Sequence, residues 1–160
     1  MPKIEISIPD QTLTLRSDQG TALKRYLVST SRNGAGEQQG SFCTPRGQHI
    51  VRAKIGEGQP LNTVFVRRRP TGEIWTPELA ERFPGRDWIL TRILWLSGCE
   101  PGENRLSEVD TMRRYIYIHG SPESVAMGKP GSIGCIRMRN QVVVELFELV
   151  PPGTQVSIAA

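Results

Sequence analysis

The sequence predicts a mostly β domain with one helix close to its C-terminus. Three observations carry that prediction. Apolar and polar residues alternate in short runs, as in KIEISIPDQTLTLR at residues 3–16, which is the period of a strand with one buried face. Gly (16) and Pro (12) are frequent enough in 160 residues to close many turns. Hydrophobic content of 38% is low, which suits a turn-rich β domain better than a helical bundle. The length accommodates one domain with a real core, residues 1–160, and is short for two.

Residues 3–16 read as two alternating strands around a turn at Pro9 and Asp10. ALKRYLVST (22–30) is a third strand, and SRNGAGEQQGSFCTPRGQ (31–48) is a Gly-rich loop with no apolar period. HIVRAKI (49–55), NTVFVRR (62–68) and WILTRILWL (88–96) follow as strands, the last apolar enough to be buried. In TPELAERF (76–83), Thr76 as N-cap and Pro77 at the first helical position start a short helical turn. SGCEPGENRLSEVDT (97–111) is a long polar insertion, and RYIYI (114–118) is a strand that delivers His119 at its end. NQVVVELFELV (140–150) is the C-terminal helix, capped by Asn140 and stopped by Pro151 and Pro152. Its apolar side is Val144, Leu146, Phe147 and Val150, although three consecutive valines weaken helix propensity. TQVSI (154–158) closes as a last strand.

Twenty Lys and Arg against sixteen Asp and Glu leave a net charge of +4. The basic clusters, Arg67–Arg69 and Arg113–Arg114, sit beside strand-like residues without aromatic interleaving. They read as solvated strand ends, and no nucleic-acid partner is expected. The modest basic balance also suits an anionic small substrate or a cell-wall polymer. The N-terminus has no apolar core and no cleavage site, so no secretory signal and no membrane span are expected. The expected compartment is cytoplasmic as written, or periplasmic if a leader has been removed. Cys43, Cys99 and Cys135 cannot all pair and show no CxxC spacing, which fits free thiols in a reduced compartment. Cys43 reads as structural, His49 as a surface residue at a strand start, and Trp75, Trp88 and Trp95 as core candidates, one of which could line a cleft.

The chemistry concentrates in HGSPESVAMGKPGSIGCIRM, residues 119–138. A thiol becomes a useful nucleophile when ionised, and a nearby imidazole is the usual means. Gly120, Pro122, Gly128, Pro130, Gly131 and Gly134 keep the chain between His119 and Cys135 turning, so the two can meet. Gly134, without a Cβ, lets backbone approach a ligand and turn N–H groups toward a developing oxyanion. On an extended segment Arg137 shares a face with Cys135, while Ile136 and Met138 face the core. A guanidinium there would grip a carboxylate and favour the thiolate. Spacing alone leaves open that Cys135 is buried filler and His119 a polar edge residue. No compact ligand spacing supports a zinc site, so no metal and no cofactor is expected.

IHGSPESVAMGKPGSIGCIRM resembles the signature of the L,D-transpeptidase (YkuD-type) catalytic domain family, an HG pair followed by S-x-G-C-[IV]-R. The matching residues are His119, Gly120, Ser132, Gly134, Cys135, Ile136 and Arg137. STSRNGAGEQQGSFCTPRGQHIV looks like the family's Gly-rich loop and T-P-x-G turn (Thr44, Pro45, Gly47), and VDTMRRYIYIHG like its approach strand. The resemblance covers essentially the whole chain. Ile133 stands where many members carry a second His, so any auxiliary role of that imidazole does not transfer.

The resemblance implies a sandwich-like β domain with a lid over the cleft, for which residues 97–111 are the natural candidate. It implies that Cys135 attacks the carbonyl of the L-centre of the diamino acid in a tetrapeptide stem, expelling D-Ala and leaving a thioester. His119 would be the base, its other nitrogen held by the Gly120 carbonyl. Gly134 and Cys135 N–H groups would hold the oxyanion, Ser132 would order the loop, and Arg137 would bind a substrate carboxylate or support the loop. The expected partners are peptidoglycan stem peptides or soluble muropeptides. With no leader in view, water is the favoured acceptor, making the protein an L,D-carboxypeptidase of muropeptide recycling. The alternatives are an L,D-transpeptidase that forms 3–3 cross-links and a non-catalytic peptidoglycan-binding module.

Overall fold

The computed structural model describes residues 1–160. Ten strands and two helices follow one another as β1 (Lys3–Ser7), β2 (Thr12–Arg16), β3 (Ala22–Leu27), β4 (Gly47–Ile55), β5 (Thr63–Val66), β6 (Arg69–Ile74), α1 (Pro77–Arg82), β7 (Ile89–Gly98), β8 (Tyr117–Ser121), β9 (Ile136–Arg139), α2 (Asn140–Leu149) and β10 (Gln155–Ala159). All strands join one curled sheet in the order β3-β2-β1-β10-β4-β7-β5-β6, with β8 and β9 continuing from β7. Pairing is antiparallel except between β1 and β10 and between β8 and β9. The predicted mostly β class with a C-terminal helix is the one observed.

The alternation in the first strands sorts as expected. Ile4, Ile6, Leu13 and Leu15 are buried, while Lys3 and Glu5 face solvent. They join Val51, Leu94, Leu96, Ile118, Ile136, Met138, Val156 and Ile158 in one apolar core. Thr76 caps α1, its side chain accepting from the Leu79 N–H, with Pro77 in the first turn. Helix α2 packs on β7, β8 and β9. Its buried stripe is Val143, Leu146, Phe147 and Val150, so Val143 takes the place predicted for Val144. Burying side chains of this size contributes about 1.5–3 kcal/mol each. Neither helix is long and apolar enough to cross a membrane.

Several boundaries differ for identifiable reasons. Asn140 is not the cap but the first residue of α2, and Arg139 occupies the cap position. Strand β6 escapes the sequence because RPTGEI carries Pro and Gly and lies exposed, with no alternation to read. The approach strand begins at Tyr117 rather than Arg114 and runs to Ser121, so His119 lies inside it and not at its end. Asp110 causes that shift: its carboxylate accepts from the Arg113 N–H (2.9 Å) and its carbonyl from the Arg114 N–H (3.0 Å), turning the chain through 113–115. None of the three tryptophans is buried; each is half-exposed.

The predicted lid is also corrected. Residues 97 and 98 finish β7, and the rest of the insertion folds down onto β4. Fully buried Asn104 donates to the Arg46 and Gln48 carbonyls (3.0 and 3.1 Å) and accepts from the Glu100 N–H (3.0 Å). Gly47 admits this packing, since a Cβ there would lie 2.2 Å from Glu100 Oε2. His49, expected at the surface, is buried beneath the loop, its ring nitrogens 3.0 Å from the Gly47 carbonyl and 2.9 Å from Thr111 Oγ1.

Candidate active site

Strand β7 positions the site because its two edges serve different partners. Leu90 pairs with Val64 of β5 and Gly120 of β8, and Ile93 pairs with Ile55 of β4 and His119 of β8. Between them a bulge at Thr91 and Arg92 interrupts the register. Thr91 sits at φ 75°, a left-handed conformation that costs a β-branched residue about 1–3 kcal/mol. A buried polar network holds it there. Thr91 Oγ1 donates to Asn140 Oδ1 (2.7 Å) and accepts from the Asn62 N–H (3.0 Å), while Asn140 Nδ2 donates to Asn62 Oδ1 (2.7 Å). The bulge presses against Gly120, where a Cβ would stand 2.3 Å from Asn140 Oδ1 and 2.7 Å from the Leu90 carbonyl. Glycine is therefore required after His119 by the backbone behind it.

The parallel register of β8 with β9 places Ile118 opposite Ile136 and His119 opposite Arg137. Ile118, Ile136 and Met138 enter the core, so Tyr117, His119, Cys135 and Arg137 fall on the other face. His119 is completely buried. Its Nδ1 lies 2.6 Å from the Gly120 carbonyl. A carbonyl only accepts, so Nδ1 carries the proton and Nε2 presents a lone pair. That Nε2 is buried with no hydrogen-bond partner. Burial pushes the imidazole below its ordinary pKa, so it rests neutral.

Cys135 packs against the small apolar cluster of Phe65, Ile93 and Tyr117. Its Sγ accepts from the Tyr117 N–H (3.3 Å) and donates to the Tyr115 carbonyl (3.4 Å). Burial pushes the thiol up to about 12, so it too rests neutral. The predicted thiol and imidazole thus share one sheet face, both uncharged, with the imidazole in the tautomer of a base. No hydrogen bond yet joins them, as is common before substrate tightens a site.

The turn before Cys135 is pinned from two sides. Ser132 Oγ donates to the Cys135 carbonyl and accepts from the Gly134 N–H (3.2 Å), bridging the turn. Thr44 Oγ1 donates to the Gly134 carbonyl (2.9 Å), which ties the T-P-x-G turn to the thiol loop. Gly134 sits at φ 132° with Ile116 Cδ1 only 3.1 Å from where a Cβ would be. Of the two N–H groups expected to hold an oxyanion, that of Gly134 is occupied by Ser132. The Cys135 N–H donates to no protein group and is the open donor. Arg137 donates to the Gly131 carbonyl (3.0 Å) and pairs with Asp87 (2.9 Å).

A cavity of about 410 Å³ opens beside Cys135, lined by Phe42, Arg67, Arg68, Asp87, Ile89, Arg114, Tyr115, Ile116, Tyr117 and Ile133. None comes from residues 97–111; the tip of the β5–β6 hairpin, Arg67 and Arg68, borders the cleft instead. Ile133, in place of the frequent His, is 41% exposed and gives the cavity an apolar wall. Cys99 is exposed in the 97–111 loop, and Cys43 lies half-buried in the Gly-rich loop with its Sγ on the Asn33 carbonyl. Neither thiol lines the cavity.

Arginines read as solvated strand ends turn out to belong to the site. Arg114 donates to the carbonyls of Gly36 (3.2 Å) and Cys43 (2.7 Å), bracing the Gly-rich loop. Arg68 donates to Tyr117 Oη (3.0 Å), with its guanidinium 4.7 Å from the Trp95 ring centre and 4.9 Å from that of Tyr115. The sequence signal was present: Arg67–Arg69 is followed within 50 residues by Trp95, Tyr115 and Tyr117, and Arg113–Arg114 runs directly into Tyr115 and Tyr117. Only the sheet topology brings them together.

The model of the YkuD L,D-transpeptidase catalytic domain matches residues 2–158. A probable L,D-transpeptidase ErfK/SrfK of Salmonella typhimurium is 29% identical over 98% of this chain and 52% of its own length. The probable L,D-transpeptidase YbiS of Escherichia coli is 31% identical over 64% of this chain and 34% of its own. The putative L,D-transpeptidase YkuD of Bacillus subtilis is 46% identical over 29% of this chain and 28% of its own. The matches therefore span about a quarter to a half of these curated relatives. An L,D-transpeptidase structure from Mycobacterium smegmatis aligns with a TM-score of 0.57 at 20% identity, covering 99% of this chain and 58% of that one. The structure of LdtMt1 in complex with imipenem aligns with a TM-score of 0.59 at 19% identity, covering 99% and 58%.

Proposed function

Because the chain belongs to the L,D-transpeptidase catalytic domain family, we propose that it is a cysteine acyl-transfer enzyme of peptidoglycan metabolism. Its substrate is the bond between the L-centre of the diamino acid and D-Ala in tetrapeptide stems. The observation that carries this reading is the unpartnered Nε2 of His119, set by the Nδ1 bond to the Gly120 carbonyl on the face that bears Cys135.

His119 Nε2 takes the thiol proton as Cys135 Sγ bonds to the carbonyl carbon, and the oxyanion falls to the Cys135 N–H. Neutral partners suit this step. The thiol, pushed up by burial, ionises only as the attack proceeds, so the charged pair forms where the reaction uses it. Collapse breaks the C–N bond, and the D-Ala amine leaves with the proton from His119. Water then attacks the thioester, giving its proton to His119. Collapse releases the tripeptide carboxylate and returns the proton to sulfur. Water is the acceptor in this reading; the Nε2 that protonates the departing D-Ala amine serves an incoming amine by the same path, so the products decide between hydrolysis and cross-linking.

Purified protein incubated with disaccharide-tetrapeptide and followed by mass spectrometry tests both halves. Tripeptide and free D-Ala are the expected products. Cross-linked dimers would replace hydrolysis with 3–3 transpeptidation, and D-Ala release by Cys135→Ala would overturn the mechanism.

A further inference from the structure

The cleft beside Cys135 holds three guanidinium groups and no carboxylate to pair with them. Arg67, Arg68 and Arg114 all line it, and none takes part in a salt bridge. The one acid on the wall, Asp87, is already neutralised by Arg137. Arg68 and Arg114 spend their donors on a phenol, backbone carbonyls and a serine hydroxyl. Arg67 makes no hydrogen bond to the protein, and its residue is exposed. Positive charge held in a walled cavity concentrates anions there.

The backbone under Arg67 is equally unusual. Val66 pairs with Arg69, so Arg67 and Arg68 are the two central residues of a hairpin turn, at φ 51° and 65°. A turn with both residues in the left-handed region favours Asn-Gly. Two arginines instead cost about 1–2 kcal/mol each. Arg68 offsets part of that cost. Its guanidinium lies against Trp95 and Tyr115 and bonds Tyr117 Oη. Tyr117 in turn donates its N–H to Cys135 Sγ. The hairpin tip is thereby fixed relative to the thiol, and Arg67 is left free at the cleft mouth.

We propose that Arg67 binds a carboxylate of the acyl donor in the cleft beside Cys135, and that Arg68 is the positioning residue that holds the hairpin tip in place. The inference rests on the stem-peptide reading and adds its chemical selectivity: donors with a free carboxylate near the reacting carbonyl are preferred over their amides. A stem peptide offers such a group on the leaving D-Ala, on the distal carbon of a diaminopimelate, or on the γ-linked glutamate.

The test is binding, measured by calorimetry on the Cys135→Ala protein so that no turnover is needed. The probes are the tetrapeptide and three derivatives, each amidated at one of these carboxylates. One amide is expected to bind about tenfold more weakly, the value of one charge-assisted contact, and its identity names the carboxylate. Adding Arg67→Gly should erase that difference, and Arg67→Lys should restore part of it. Glycine is compatible with φ 51°, so Arg67→Gly keeps or raises thermal stability while selectivity is lost, which a merely structural residue would not do. Equal binding of all four peptides, or a preference that survives Arg67→Gly, overturns the assignment. Failure to release D-Ala from the tetrapeptide sinks the proposed reaction but leaves any Arg67-dependent binding difference standing.

Discussion

The floor of the site and its rim are built on opposite principles. On the floor, His119, Gly120 and Ser132 are wholly or almost wholly buried, each held by a neighbour in sequence or on an adjacent strand. On the rim, Phe42, Tyr115 and Ile133 are 41–56% exposed, and the hairpin arginines come from a different part of the chain. Both regions store left-handed backbone, at Thr91 beneath the floor and at Phe42, Arg67, Arg68 and Tyr115 around the rim. The floor's strain is locked by buried hydrogen bonds. On the rim, the guanidinium of Arg68 against the rings of Trp95 and Tyr115 braces two of the four residues, and Arg67 is left free. Under the proposed reaction, the floor would carry the fixed chemistry and the rim the adjustable recognition.

The largest effect should come from the floor. Cys135→Ala is expected to lower D-Ala release by at least about 10⁴-fold while leaving the thermal transition close to that of the parent, since alanine keeps the Cβ and only the long Sγ bonds to the Tyr117 N–H and the Tyr115 carbonyl are lost. Unchanged turnover would make the floor a scaffold. Next is Gly120→Ala. Its methyl has no space between Asn140 Oδ1 and the Leu90 carbonyl, and backbone and a buried amide yield less than a flexible side chain. A loss of about 3 kcal/mol in urea unfolding is expected, with activity falling alongside it. A neutral result would mean that the bulge at Thr91 relaxes freely.

Acid acts on the floor through His119 and, outside the site, through His49, while the rim has no histidine. His119 and His49 are both depressed by burial, whereas in the unfolded chain each takes a proton near pH 6.5. Below that pH the unfolded state binds more protons than the folded one. Stability is therefore full above about pH 6.5 and declines as pH falls toward the folded values. Cys135 acts in the opposite sense: raised to about 12 from 9.0, it holds its contribution below about pH 9 and loses it as pH rises through the folded value. Unfolding midpoints measured from pH 7.5 to 5 should fall, and His49→Gln should flatten that slope. The turnover profile should keep its acid limb below pH 6.5, and a midpoint above 7 would contradict a buried neutral base.

The same division explains what could be read from the sequence. The floor was legible because its parts are local: HG, S-x-GC and the alternation of Ile136 and Met138 each lie within a few residues, and backbone geometry translates that spacing directly. The strands and the apolar side of α2 were legible for the same reason. Asn140 illustrates the limit, since a residue with the chemistry of a cap turned its amide into the network behind Gly120. His49 shows another: only the fold of residues 99–111 decides that a strand-start histidine is buried. The rim was illegible as a unit. Residues 67, 68, 87 and 114–117 become neighbours through strand order, which no local pattern encodes, and arginines beside strands look alike whether they face solvent or a cleft.

The smallest expected effect bears most directly on how firmly the rim is tied to the floor. Arg68→Ala removes the contacts with Trp95 and Tyr115 and the bond to Tyr117 Oη, at a cost of about 1 kcal/mol for partly exposed interactions of this kind. It leaves Tyr117 N–H on Cys135 Sγ, so the thiol itself is not displaced. A rim that only recognises substrate should respond with a KM raised several-fold and a kcat nearly unchanged. A matching fall in kcat would mean that the hairpin, through Tyr117, also sets the thiol for attack, and the line drawn between floor and rim would then have to run outside Arg68.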